Sequence, residues 1–144
     1  MSLIKNMGPC CCDCETFERL HFQLYQGDGK NGRIDPITSG TVILYRYSQG
    51  TDPQHDVTLN ADISSLSAVT PYDAFYLDFT LDLYENGDKV GTITYMDTGG
   101  TETYGTADVK VIYKGCEYHA PQCEVRAAIV TGLPMDGLIE QPEP

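Results

Sequence analysis

The 144-residue chain sets nine Lys and Arg against 21 Asp and Glu, for a formal net charge of −12 and a pI near 4.3. A surface this negative repels phosphate backbones and anionic headgroups, so nucleic acid and membrane surfaces are excluded as expected partners. With 41% hydrophobic and 21% charged residues the chain reads as one folded domain, not a disordered one, and a domain of this size buries about 68–70% of its unfolded surface without needing a staple.

Residues 1–15 show no apolar alternation and read as an N-terminal arm. Its start, MSLIKNMGP, holds one lysine and no apolar run of signal-peptide length, and nowhere does the chain reach the roughly 18 apolar residues of a membrane span. The expected location is a virion or the cytoplasm, or outside the cell if a leader has been removed.

The arm ends in Cys-Cys-Cys-Asp-Cys at residues 10–14, and the other two cysteines are Cys116 and Cys123. Neighbouring cysteines make strained bridges with one another, which leaves three readings. Cys11-x2-Cys14 has the knuckle spacing of a structural zinc or iron–sulfur centre, with Cys116 and Cys123 completing four thiolates and His119 as an alternative nitrogen ligand. In the second reading Cys116 and Cys123 bridge the ends of a turn, EYHAPQ, and the N-terminal four pair among themselves or between subunits; spacing alone does not fix such pairings. The third is a set of reduced thiols on a loose arm. The metal set Cys11, Cys14, Cys116 and Cys123 is preferred on its spacing.

From residue 16 to 131 the apolar period is two, which predicts strands. Leu20, Phe22 and Leu24 share one face of the first. TVILYRY (41–47) is apolar enough for a strand buried on both sides, and Val57, Leu59, Ala61 and Ile63 alternate in the next. Phe75, Leu77, Phe79, Leu81 and Leu83 form one face of a half-buried strand whose wet side carries Tyr76, Asp78, Thr80, Asp82 and Tyr84. Asn86-Gly87 then predicts a type I′ hairpin turn, pairing Glu85 with Asp88, Leu83 with Val90 and Leu77 with Met96. Strands at 107–113 and 124–130 follow, and residues 132–144, with three prolines, read as an extended tail.

Catalytic signatures are missing from the pattern. There is no G-x-S-x-G elbow, phosphate-binding loop or H-E-x-x-H motif, and His21, His55 and His119 are scattered. GDGKNGRID falls short of a calcium loop, because glycines occupy the first and third ligand positions when Gly32 is set at the sixth. Asp78 and Asp82 are read as a solvated sheet face.

The expected fold is all-β: a single antiparallel β-sandwich, an immunoglobulin-like Greek key of about seven strands with arms at both ends. The expected function is that of a non-enzymatic structural subunit of a larger assembly. A viral or phage virion component, such as a capsid decoration or tail protein, fits a small β domain with a cysteine-rich fastening arm and protein subunits as partners. The alternative is a secreted or surface binding module for carbohydrate or protein, with Tyr76, Asp78, Tyr84 and Tyr95 as its contact face.

Overall fold

The structure, a computed structural model, describes residues 4–6, 14–15, 17–26, 36–46, 56–74, 76–100, 104–126 and 135–138. Strands β1 (Ile4–Asn6), β2 (Arg19–Gln26), β3 (Ile37–Tyr45) and β4 (Val57–Ala61) precede a 3-10 turn at Ser64–Leu66 and a one-turn helix α1 (Pro71–Ala74). Strands β5 (Phe79–Glu85), β6 (Asp88–Gly100), β7 (Tyr104–Tyr113), β8 (Cys116–Arg126) and β9 (Met135–Leu138) complete it.

The all-β expectation holds. In place of two packed sheets and a Greek key, however, the described residues form one sheet in which β2 to β8 each pair antiparallel with the next strand in sequence. These seven strands curl into a half-barrel. β9 lies against both of its ends, pairing with β2 at His21–Leu24 and with β8 at Glu124–Arg126. Alternation along a strand determines which face is buried, not what buries it. Here the inner faces of one curled sheet bury one another.

That inner face is a single core. Leu44, Leu59, Leu83, Tyr95, Val111 and Val125 have essentially no exposed surface, and each such large side chain contributes about 1.5–3 kcal/mol by leaving water. The 41–47 run is not buried evenly on both sides: Val42 and Leu44 point into the core while Ile43 is half-buried. Tyr45, beneath the Arg19 guanidinium at 4.3 Å, is covered as well, and Tyr47 lies outside the described residues.

The Asn86-Gly87 hairpin forms, with φ of 53° and 89° at its two central residues, and Glu85 faces Asp88. The register beyond the turn differs from the expected one. A shift after Tyr84–Lys89 leaves Val90 as an extra residue, so Leu83 faces Gly91, Leu81 faces Ile93 and Phe79 faces Tyr95. Unbulged pairing would turn Thr92 and Thr94 inward. The bulge turns Ile93 and Tyr95 inward instead, and the gain in apolar burial explains the choice.

Gly91 is the residue that lets β6 pass β7 at this point. A Cβ there would lie 1.7 Å from the Ile112 carbonyl oxygen, so the backbone of one strand must move. Gly91→Ala is expected to lower stability by about 1–3 kcal/mol, the usual cost of overpacking, measured as a shift in the urea midpoint. An unchanged midpoint would mean the β6–β7 contact is looser than described.

Two further expectations are corrected. Leu77 is 42% exposed and does not extend the apolar face of β5, while Phe75 lies outside the described residues. Thr70 caps α1 by accepting the Asp73 N–H, with Pro71 in the first helical position, and this turn ends the strand pattern before Phe79. Second, EYHAPQ is not a turn but part of β8. Pro121 and Gln122 together oppose Asp108 in a bulge, a place where proline's missing N–H is tolerated.

Candidate functional site

The region of the described structure with the densest unusual chemistry lies where the N-terminal segment meets the β7–β8 hairpin. That hairpin turns through Lys114 and Gly115, both at positive φ, and sets Cys116 at the start of β8 opposite Tyr113. Cys14 and Cys116 form a disulfide with their Cα atoms 5.7 Å apart, joining positions separated by 102 residues.

Three residues on, Phe17 enters the core with 1% of its surface exposed. Its ring meets Tyr118 edge-to-face at 5.1 Å and Tyr113 at 6.2 Å, and the Arg46 guanidinium lies 5.5 Å from its centre. Arg46 also pairs with the Glu15 carboxylate. The Tyr118 hydroxyl donates to the Glu15 carbonyl, and the Glu18 N–H donates to the Tyr45 carbonyl at 2.7 Å. Burial, with the Glu15 charge adding to it, pushes the Tyr118 hydroxyl up to about 12.

β1 reaches the same place from the other side. It pairs with β8 through Ile4–His119, Lys5–Tyr118 and Asn6–Glu117. Asn6 and Cys14 are therefore fixed to adjacent residues of one strand, Glu117 and Cys116.

Of the expected metal set, Cys14 and Cys116 come together, as a disulfide. Cys123 does not join them: it is buried and unbridged, and at about 3.3 Å per residue the strand carries it roughly 20 Å from Cys116. The same separation rules out the expected Cys116–Cys123 bridge, since bridged Cα atoms lie within about 7 Å. Cys11 lies outside the described residues, as do Cys10 and Cys12. A zinc or iron–sulfur centre on Cys14 and Cys116 requires their reduced form. His119 is engaged by the Asp108 carboxylate across β7 and β8, and among the described residues no group of three or more His, Cys, Asp and Glu side chains gathers as a metal site.

The suggested contact face is also divided. Tyr76 and Asp78 are exposed and Tyr84 is half-buried, but Tyr95 lies in the core, stacked on Phe79 at 4.8 Å. The β6 bulge put it there. Asp78 itself accepts the Asp97 N–H at 3.0 Å.

Cys123 behaves as a core residue. It is 1% exposed, and burial first, with the Glu124 charge second, pushes its thiol up to about 12 from an ordinary value of 9. In the native protein at pH 8 it is expected to resist alkylation that proceeds readily in denaturant; comparable rates in both states would contradict its burial. The shift also sets a pH dependence. Native Cys123 holds its proton where the unfolded chain has lost it, so its contribution is complete below about pH 9 and falls progressively towards pH 12. Tyr118, raised for the same leading reason, acts in the same direction above pH 10. Urea midpoints are accordingly expected to decline from pH 8.5 to 10.5; a flat profile would refute the assignment.

Phe17, Glu15, Arg46 and Tyr118 escaped the sequence reading because none lies in an alternating pattern that points to the others. Phe17 lies just after the cysteines and before β2, a lone aromatic ahead of the first alternating stretch. Comparison with family models, curated proteins and solved structures returns no match.

Proposed function

We propose that the protein is a non-enzymatic structural subunit of a larger assembly, of the kind that serves viral or phage particles as a capsid decoration or tail protein, fastened through its cysteine-rich arm. The observation that carries this reading is the covalent tie from Cys14 to Cys116. It joins the arm to the β7–β8 hairpin, so that a load on the arm is borne by the sheet and not by a loose tail. Cys10, Cys11 and Cys12 stand within four residues of that tie in sequence. A bridge from any of them to another subunit would thus be rooted next to the sheet. The partners in this reading are protein subunits, with neither nucleic acid nor membrane involved, in keeping with the net charge of −12.

Native mass spectrometry across a concentration series, with and without reductant, tests the proposal. The expected result is an oligomer, or a disulfide-linked species that disappears when Cys10, Cys11 and Cys12 are replaced by serine. A monomer at every concentration, indifferent to reductant and to those replacements, would overturn it.

A further inference from the structure

We propose that the Cys14–Cys116 disulfide is a redox latch that keeps the N-terminal segment on the outer edge of β8, and that its reduction opens that edge without unfolding the sheet. This device stands whether or not the chain assembles with other subunits.

The geometry points to it in three ways. The edge of β8 turned away from β7 is covered at Glu117–His119 by β1 and at Glu124–Arg126 by β9. Among the described residues β1 supplies three residue pairs, and a ladder of that length does not persist by itself in water. Its last residue, Asn6, faces Glu117, and the disulfide grips the next residue, Cys116. The bond therefore holds the chain end of β1 close to its partner strand, and without it the tether from Asn6 runs on to the buried Phe17, a longer and looser one.

Residues 15–18 have anchors of their own, with Phe17 buried, the Tyr118 hydroxyl donating to the Glu15 carbonyl and the Glu18 N–H to the Tyr45 carbonyl, so the latch acts on the chain that precedes them. Phe17 keeps its ring contacts, but the Arg46–Glu15 pair is partly exposed on both sides and such pairs contribute little. The core between β2 and β8, by contrast, is built from side chains such as Leu44, Leu59, Leu83 and Val111, which sit in those strands and not in the arm. The low-stability unit is β1 together with the edge it covers.

Reduction proceeds by exchange with a dithiol. The dithiol's thiolate attacks the sulfur of Cys116, the less buried partner, forming a mixed disulfide and releasing Cys14 as a thiolate that takes a proton from water. The second thiol, deprotonated, then attacks the dithiol's own bridged sulfur and releases the Cys116 thiolate, which is protonated in turn. Two electrons have passed to the protein, and the dithiol leaves as a cyclic disulfide.

Hydrogen exchange of the full-length protein, read by mass spectrometry with and without dithiothreitol, tests the latch. In the reduced protein, exchange in peptides covering residues 4–6 and 117–119 is expected to rise about threefold or more and to be complete while peptides from β5 and from Val109–Val111 are still protected. The Cys14→Ser/Cys116→Ser double variant should show the same pattern without reductant. Edge and core exchanging together in a single step would overturn the proposal, because the edge would then have no opening of its own. No rise at residues 117–119 in either sample would overturn it too, as would peptide mapping that finds Cys116 bonded to a cysteine other than Cys14 in the variant with Cys10, Cys11 and Cys12 changed to serine.

Discussion

The Cys14→Ala/Cys116→Ala double variant is expected to lose about 3–5 kcal/mol of stability and to melt about 10–15 °C lower than the parent chain. The disulfide closes a loop of 102 residues, and cross-linking positions that far apart removes much of the freedom of the unfolded chain. A loop near 100 residues stands at the upper end of the usual range, at about 4.7 kcal/mol. The native state loses little by comparison, since Phe17 and the Glu15 contacts persist when the sulfurs are gone. Removing both cysteines together avoids an odd thiol that would seek another partner. Urea unfolding gives the measurement. A midpoint within error of the parent would mean that the two sulfurs are not bonded in solution.

This expectation fits with a latch that releases only the segment near it. Domains have about 5–15 kcal/mol of stability in all, so a protein in the upper part of that range loses the cross-link and remains folded. Its weakest unit then opens first.

Tyr95→Ala carries the second large effect, a loss of about 3–5 kcal/mol, as for other large aromatic truncations in a core. Tyr95 has no exposed surface, stacks on Phe79 at 4.8 Å and meets Phe22 edge-to-face at 5.8 Å. Its removal leaves a cavity among three strands. Tyr76→Ala, at a position 42% exposed, is the matched control and is expected to stay within about 0.5 kcal/mol of the parent. Thermal or urea unfolding of the pair separates the two roles. Equal effects would show that Tyr95 is not the core residue described.

Tyr95 also illustrates how far the sequence reaches. Alternation in Leu81 and Leu83, followed by Asn-Gly, announced the β5–β6 hairpin, and the turn formed as expected. The side to which Tyr95 points depended on a single extra residue, Val90, in the bulge. Nothing local marks that residue, because the bulge is favoured only once Ile93 and Tyr95 have a core to enter. One residue of slip inverts a strand's two faces, and so moved Tyr95 from a suggested contact surface into the interior.

The candidate site was legible only in part. Six cysteines and their spacing drew attention to Cys14 and Cys116, yet spacing could not choose their partner. That choice came from β8 running unbroken through Pro121, which carries Cys123 away from Cys116, and from Lys114-Gly115 turning Cys116 towards the N-terminal segment. Phe17 and Arg46 had no signal of their own.

The sequence by itself determined that the chain is built of strands, where most of them run, and which residues face inward on the well-patterned ones, because side-chain period and turn chemistry are local properties. Only the tertiary structure decided that these strands curl into one sheet instead of stacking as two, that Tyr95 turns inward, and that Cys14 meets Cys116. Each of those outcomes rests on contacts between residues far apart in the chain, whose energies no short stretch of sequence contains.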